Sequence, residues 1–221
     1  MAKPTGQLER SRLYFVCEGG ADQAALADLL DAALAGGADL VQLRDKEADD
    51  ERLTAAAPVF RAAADSHDAL FVINDRPDLV AACAADGVHV GQDDMPVADA
   101  RRLAGADAIV GLSTHSPEQL EAALAAAGEG RPDYVSVGPV WETPTKAGRP
   151  AAGLAYVEHA AAHADLPWFA IGGIDPGNLA TVIEAGARRV VVVRAIRDAD
   201  DPGAVAASLA GGLGVIRGVA G

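Results

Sequence analysis

The stretch Ala21–Leu43, ADQAALADLLDAALAGGADLVQL, decides the fold class because it joins a helix pattern directly to a strand pattern. Its first part places apolar side chains at helical spacing, at Leu26, Leu29, Leu30, Ala33 and Leu34. Gly36-Gly37 then offers a C-terminal stop, and the apolar run Leu40–Leu43 follows closely. The stretch therefore predicts one helix-turn-strand unit, with its helix over Ala21–Ala35.

The same unit recurs along the chain, with a turn that contains Gly or Pro before several of the apolar runs. The runs are continuously apolar, as expected for parallel strands that are covered on both faces. Eight candidate strands follow: Leu13–Val16, Leu40–Leu43, Leu70–Ile73, Val88–Val90, Ile109–Leu112, Tyr134–Val137, Trp168–Ile171 and Val190–Val193. With helices between them, they predict an α/β protein built as a single (β/α)8 TIM barrel. An open doubly wound sheet is the alternative, and the regular repeat and chain length favour closure.

The chain has 221 residues, half of them apolar, which suits one domain with a large buried core. We expect a TIM-barrel catalytic domain over residues 13–221, preceded by a polar N-terminal arm, residues 1–12, whose order the sequence leaves open. The arm has no apolar signal-peptide core and no later run reaches about 18 apolar residues, so a cytoplasmic location is expected. Cys17 and Cys83 lie in apolar surroundings and are expected to be buried free thiols.

The chain is acidic, with 18 Lys and Arg against 32 Asp and Glu, a formal net charge of -14 and a pI near 4.6. Its long-range field repels polyanions, so nucleic acid and anionic membranes are disfavoured as partners. Small-molecule substrates are expected, and a homo-oligomer is left open. A phosphate site in such a chain must gather its few cations locally, which makes the positions of Lys and Arg informative.

Catalytic groups of a barrel come from the C-terminal ends of its strands, so the residues that follow each apolar run are the candidates. The second run ends in Gln42-Leu-Arg44-Asp-Lys46, whose cations could neutralise a diphosphate. Taken alone, this segment is better explained as a solvated charged loop. The third run ends in Asn74-Asp75, and Asp94 follows the fourth. Two carboxylates at one rim suit Mg²⁺, although each Asp could instead cap a helix or a turn.

The fifth run ends in Gly111-Leu-Ser113-Thr-His115, and no acid follows that would complete a nucleophile triad with Ser113. Ser113 is therefore interpreted as a hydrogen-bond donor. His89 lies inside an apolar run, which favours a packed, internally hydrogen-bonded ring. His115 lies at the rim, and its sequence context does not decide between a structural and a functional role.

A long loop with two hydroxyls and a cation, at Thr143, Thr145 and Lys146, follows the sixth run. The seventh run ends in Gly172-Gly173, where backbone N–H groups could approach a phosphate closely, and barrel phosphate sites commonly use the loops after strands seven and eight. The eighth run ends in Val193-Arg194. Arg194 could cap the same phosphate or pair with a surface acid.

Six of these segments together, in this order, resemble the thiamine phosphate synthase family. They are Gln42-Leu-Arg44-Asp-Lys46, Asn74-Asp75, Gly91-Gln92-Asp93-Asp94, Gly111-Leu-Ser113, Thr143-Pro-Thr145-Lys146 and Ile171-Gly172-Gly173-Ile174, and the match runs from Leu13 to Ile196. Each motif is weak alone, but six in order at predicted strand ends are specific. Glu142 and Arg194 depart from the family pattern, which has Pro and Ser there.

The resemblance implies a role for each candidate residue. The pyrimidine diphosphate would be bound by Gln42, Arg44, Lys46, Asn74, Ser113 and Lys146, of which Arg44, Lys46, Ser113 and Lys146 would be catalytic. Asp75 and Asp94 would hold Mg²⁺, and the thiazole phosphate would contact Thr143, Thr145, Gly173, Val193 and Arg194. The implied reaction is dissociative: the bond to diphosphate breaks, the aminopyrimidine stabilises a methylene cation, and the thiazole nitrogen attacks it.

Three other functions share parts of this pattern. A thiazole tautomerase would need the thiazole phosphate pocket without the carboxylates, and the presence of Asp75, Asp94 and Lys146 argues against it. A non-catalytic binding regulator would show no Mg²⁺-dependent turnover. A phosphosugar barrel would share the Gly172-Gly173 site but needs an acid–base pair, for which the sequence offers no clear candidate.

Overall fold

A computed structural model describes residues 4–142 and 150–214. Eight parallel strands form a closed barrel in sequence order: β1 (Leu13–Cys17), β2 (Leu40–Leu43), β3 (Leu70–Asn74), β4 (Gly87–Val90), β5 (Ile109–Thr114), β6 (Tyr134–Val137), β7 (Trp168–Ile171) and β8 (Val190–Val192). The sheet closes because β1 pairs with both β2 and β8. The predicted (β/α)8 barrel is confirmed, and each observed strand overlaps the run that predicted it.

Helices surround the barrel on its outside. They are α1 (Thr5–Arg10), α2 (Gln23–Ala35), α3 (Asp50–Ser66), α4 (Val97–Ala104), α5 (Pro117–Ala125), α6 (Gly153–His163), α7 (Leu179–Glu184), α8 (Arg194–Arg197) and α9 (Pro202–Gly212). Within the described ranges, no helix has the length and apolar character needed to cross a membrane.

The predicted first barrel helix is confirmed, but it begins two residues later than its pattern suggested, at Gln23. The cause is the side chain of Asp22, which accepts hydrogen bonds from the backbone N–H groups of Ala24 and Ala25 at 3.0 and 3.1 Å. A carboxylate in this position satisfies donors that have no partner inside the helix, so it sets the first helical residue.

The connection from β3 to β4 departs from the regular repeat, because it contains only a single 3₁₀ turn, Pro77–Leu79, where a helix was expected. Asp75 and Ala84 flank this turn with left-handed backbone, φ 60° and 51°. Left-handed residues cannot continue a right-handed helix, so any helix in this connection is confined to residues 76–83.

Two apolar layers hold the barrel together. The outer layer lies between the strands and the surrounding helices, and the inner layer fills the barrel itself. In the inner layer the rings of Tyr14, Tyr134 and Phe169 meet edge to face, with ring centroids 5.6 to 6.1 Å apart. These packed side chains fill the barrel interior below the strand ends.

The sequence does not decide whether the N-terminal arm, residues 1–12, is ordered. The described part of this arm contains α1. Leu8 of this helix is 2% exposed and packs into the inner layer of the barrel. The guanidinium of Arg189 donates to the carbonyl oxygens of Glu9 and Ser11 at 2.8 and 3.1 Å. These contacts tie the arm to the barrel.

Gly111 makes room for the ring of Tyr134, because a Cβ atom built at Gly111 would lie 2.1 Å from Cζ of that ring. We expect Gly111→Ala to lower the free energy of unfolding by about 2–3 kcal/mol, since the extra methyl overpacks a filled core. Urea unfolding measures this loss. Gly130→Ala is the matched control, because a Cβ there meets no atom within 4 Å among the described residues. Equal stability of the two variants would contradict the prediction.

Candidate active site

A cavity of about 480 Å³ lies at the C-terminal ends of the barrel strands. All of the predicted site residues that the structure describes line it: Gln42, Arg44, Lys46, Asn74, Asp75, Asp94, Ser113, Gly173, Val193 and Arg194. The remaining predicted site residues, Thr143, Thr145 and Lys146, lie outside the described residues. The barrel thus brings six strand ends that are distant in sequence to one cavity.

Strand register explains why these side chains converge. Residues alternate between the inside and outside of the barrel, so Gln42, Asn74, His89 and Ser113 all face inward near the ends of β2 to β5. Asn74 pairs directly with His89 across β3 and β4. Polar groups at the strand ends replace the apolar side chains found deeper in the barrel.

Two carboxylates, Asp75 and Asp94, face the same part of the cavity. Burial raises the pKa of Asp75, and the nearby carboxylate of Asp94 raises it further, while Lys46 and Asn74 act in the opposite direction. The backbone N–H of Gly91 donates to Oδ2 of Asp94 at 2.8 Å, which fixes this side chain on its loop. The arrangement concentrates negative charge that a cation would relieve.

The cations from the end of β2 lie beside these carboxylates. Nζ of Lys46 is 3.6 Å from Oδ2 of Asp75, and its side chain is 55% exposed. Arg44 lines the cavity from a backbone position fixed by its N–H, which donates to the carbonyl oxygen of Cys17 at 2.9 Å. The loop is therefore solvated in part and also contributes charge to the cavity.

A chain of buried polar groups lies below the cavity floor. Nε2 of Gln42 donates to the hydroxyl of Tyr14, which lies 3.1 Å from the hydroxyl of Tyr134. That hydroxyl is 3.0 Å from Nδ1 of His89, whose Nε2 is 2.9 Å from Oγ of Ser113. The prediction of a packed, internally hydrogen-bonded His89 is confirmed, and its ring also lines the cavity.

The loops after β7 and β8 form the opposite wall of the cavity. Gly172 and Gly173 both have positive φ, 109° and 69°, a conformation that side chains with a Cβ rarely adopt. Nδ2 of Asn178 donates to the carbonyl oxygen of Gly173 at 2.8 Å and holds this turn in place. Arg194 begins α8 directly after β8 and lines the cavity, although the residue is exposed overall.

The cavity is also lined by residues that were not assigned a site role from the sequence, among them Tyr14, Ser136 and His115. Tyr14 was hidden inside an apolar run, and Ser136 occupies an inward position of β6 that only the strand register reveals. His115, whose sequence context was undecided, also lines the cavity, and its Nδ1 is 2.6 Å from the carbonyl oxygen of Gly138. That contact fixes the orientation of the ring.

Comparisons with a family profile and with known proteins agree on one family. The profile of the family described as thiamine monophosphate synthase matches residues 13–196. A thiamine-phosphate synthase of Thermobifida fusca is 52% identical over 204 residues, which cover 92% of each chain. The corresponding protein of Mycobacterium leprae is 48% identical over 213 residues, covering 92% of this chain and 91% of the relative.

Solved structures agree with the sequence comparison. Thiamine phosphate pyrophosphorylase from Pyrococcus furiosus superimposes with a TM-score of 0.80 at 29% identity, covering 95% of this chain and 97% of that one. A 3-hexulose-6-phosphate synthase reaches 0.67 at 21% identity and shares the fold alone. The family profile, the sequence relatives and the barrel agree: the chain belongs to the thiamine monophosphate synthase family and is a transferase of thiamine biosynthesis.

Proposed function

We propose that the chain condenses 4-amino-2-methyl-5-(diphosphooxymethyl)pyrimidine with 4-methyl-5-(2-phosphooxyethyl)thiazole, or its carboxylated form, to give thiamine phosphate and pyrophosphate. The observation that carries this proposal is the cavity itself, into which the barrel gathers cations, paired carboxylates, Ser113 and a glycine turn. A substrate pair with a diphosphate on one partner and a phosphate on the other matches this distribution of groups.

The diphosphate is assigned to the side of the cavity formed by β2 to β5. Arg44 offers planar, bidentate hydrogen bonds to phosphate oxygens, and Lys46 offers a compact charge. Asn74 and Ser113 supply neutral hydrogen-bonding groups around them, and Gln42 is assigned to the aminopyrimidine part of the same substrate. Lys146, outside the described residues, is proposed as a third cation from the loop after β6.

Mg²⁺ is proposed at Asp75 and Asp94. The donor set fits this ion, because carboxylate oxygens are hard ligands and Mg²⁺ takes only one or two of them beside water and phosphate oxygens. Residues 4–142 and 150–214 contain no cluster of three or more His, Cys, Asp and Glu side chains placed to enclose a metal. Bound there, Mg²⁺ would offset negative charge on the departing diphosphate.

The proposed reaction is dissociative. The C–O bond between the pyrimidine methylene and the diphosphate breaks, and both bonding electrons leave with the diphosphate. The aminopyrimidine ring delocalises the resulting cation until the thiazole nitrogen attacks it. The chain assists by preorganised charge: Arg44 and Lys46 face the leaving group, and Ser113 donates a hydrogen bond to it. No general base is needed to start this sequence.

The thiazole phosphate is assigned to the opposite wall, at Gly173, Val193 and Arg194, with Thr143 and Thr145 of the β6 loop. We expect Arg194→Ala to raise the KM for the thiazole phosphate by about tenfold and to leave kcat nearly unchanged, because a charged hydrogen bond to a non-reacting phosphate contributes about 1.5 kcal/mol or more. Steady-state kinetics with varied thiazole phosphate measure this. An unchanged KM would show that Arg194 is a surface residue that does not bind the thiazole phosphate.

Mg²⁺ affinity is expected to fall on acidification at a higher pH than for an ordinary aspartate site. Burial and Asp94 raise the pKa of Asp75, so its carboxyl takes up a proton earlier as the pH falls, and Mg²⁺ must then displace that proton. Calorimetric Mg²⁺ titrations between about pH 8 and about pH 5 test the direction. Asp75→Asn should weaken binding and flatten its pH dependence. Asn also tolerates the left-handed backbone at this position.

The direct test of the function is an assay of purified protein with the pyrimidine diphosphate, each form of the thiazole phosphate and Mg²⁺, with and without EDTA. Formation of thiamine phosphate and pyrophosphate that EDTA abolishes is the expected result. Thiazole phosphate binding without product would indicate a regulator. Interconversion of thiazole isomers without condensation would indicate a tautomerase. Comparing the two thiazole forms identifies the preferred partner.

A further inference from the structure

The buried polar chain under the cavity connects two residues to which the proposed function gives different tasks. Gln42 at one end is assigned to the pyrimidine diphosphate, and Ser113 at the other end to the leaving group. Tyr14, Tyr134 and His89 lie between them and complete an unbroken series of hydrogen-bonding contacts. All five residues are at most 7% exposed.

One direction of these hydrogen bonds starts from Gln42 as the donor. Because Gln42 donates to the hydroxyl of Tyr14, that hydroxyl can pass its own proton to Tyr134. Tyr134 then donates to Nδ1 of His89, so the proton of a neutral imidazole sits on Nε2 and faces Ser113. Burial raises the pKa of both tyrosines, which keeps their protons in place.

In this direction Ser113 becomes a donor towards the cavity. Its Oγ accepts from Nε2 of His89 at 2.9 Å and from Oγ of Ser136 at 3.4 Å. A hydroxyl carries one proton, so a Ser113 that accepts from His89 does not donate to it and can donate to a ligand in the cavity that it lines. At the other end, Gln42 keeps its carbonyl oxygen to accept from a ligand.

The hydrogen bonds of this buried series can also run in the opposite direction. Ser113 would then donate to His89, His89 to Tyr134 and Tyr134 to Tyr14. The carbonyl of Gln42 would accept from Tyr14. In that arrangement Gln42 offers only N–H groups to a ligand, and Ser113 has no proton for the leaving group. A ligand amino group that donates to the carbonyl of Gln42 therefore favours the first direction over the second.

We propose that Tyr14, Tyr134 and His89 are positioning residues that couple recognition of the aminopyrimidine at Gln42 to hydrogen-bond donation by Ser113 on the leaving diphosphate. This inference rests on the proposed function and deepens it. Its physical basis is that a buried hydroxyl or imidazole must keep a partner, so a reversal at one end forces reversal along the series. The pyrimidine would thus set the donor that assists departure of its own diphosphate.

The test measures how two probes affect each other's binding. The probes are 4-amino-5-hydroxymethyl-2-methylpyrimidine and pyrophosphate with Mg²⁺, titrated by calorimetry separately and together. The coupling factor is the ratio of pyrophosphate Kd values without and with the pyrimidine, and linkage requires the same factor in the reverse experiment. In the unmodified chain we expect each probe to strengthen binding of the other.

Tyr134→Phe removes the central hydroxyl and keeps the ring in its packed site. The coupling factor should fall by about fivefold, roughly the effect of one hydrogen bond, while each probe alone still binds. Tyr14→Phe should have the same effect, and the double variant should lose little more, because a series broken once is already broken. Tyr156→Phe is the matched control, since its buried hydroxyl donates to Oγ1 of Thr114 outside the series.

The outcomes separate this inference from the function on which it rests. An unmodified chain that binds neither probe would overturn both. Binding of both probes without coupling, or coupling that survives in Tyr134→Phe and Tyr14→Phe, would overturn the inference and leave the function standing. Loss of coupling in Tyr156→Phe as large as in Tyr134→Phe would indicate general loosening of the barrel and would also overturn it.

Discussion

Asp94→Ala is expected to lower kcat by about 10²–10³-fold at any Mg²⁺ concentration that saturates the unmodified chain. The proposed ion would lose one of its two carboxylates, and the charge on the departing diphosphate would be less well offset. Asp94 is exposed, so its truncation should leave the variant folded. Initial rates over a Mg²⁺ titration, with unfolding measured in parallel, provide the readout.

Two controls isolate the charge of Asp94 from its loop contact. Asp94→Asn retains an oxygen that can accept from the N–H of Gly91, a hydrogen bond of 2.8 Å in the present chain, and should be nearly as inactive as the alanine variant. Asp93→Ala removes the neighbouring carboxylate, which does not line the cavity, and should turn over within about twofold of normal. Near-normal turnover of Asp94→Ala would refute the metal assignment.

Arg44→Ala is expected to reduce kcat/KM for the pyrimidine diphosphate by about 10²–10³-fold. A bidentate guanidinium makes two charge-assisted hydrogen bonds to phosphate oxygens, and each contributes about 1.5–3 kcal/mol when desolvated. Arg44→Lys should recover only part of the loss, because lysine supplies the charge without the planar pair of donors. Pyrophosphate binding, measured by calorimetry, should weaken in the same order.

Arg52→Ala is the control for Arg44→Ala, because both variants remove one positive charge. Arg52 lies on α3, its side chain is 55% exposed, and its guanidinium is 3.5 Å from the carboxylate of Asp45. An exposed pair of this kind contributes little, so this variant should behave normally. If both variants lost activity equally, the effect would come from the net charge of the chain and not from a diphosphate contact at Arg44.

The strands and the charged part of the site were predictable from sequence for one physical reason. Parallel strands covered on both faces must be apolar along their whole length, so the first polar residue after each run marks a strand end. Asn74 and Ser113 were found in this way, Gln42 was found as the one polar residue inside its run, and all three line the cavity. The resemblance then assigned the roles, which local pattern alone could not do.

The buried polar series could not be predicted, because its contacts depend on register around the whole barrel. Tyr14 and Tyr134 are separated by 120 residues, and both lie within runs that otherwise predict only core strands. The 3₁₀ turn between β3 and β4 was missed for a different reason. The left-handed backbone at Asp75 and Ala84 leaves no distinct pattern of apolar residues.

Closure of the barrel between β1 and β8 has a consequence for the order in which the chain can mature during synthesis. Leu13–Cys17 leaves the ribosome early, yet its second neighbour, Val190–Val192, is made roughly 180 residues later. At about 5–20 residues per second, the first strand waits about 10 to 40 seconds for this partner. Its apolar edge is exposed to wrong pairing for that whole time, longer than the edge of any later strand, so nascent-chain misfolding of this barrel should begin at β1.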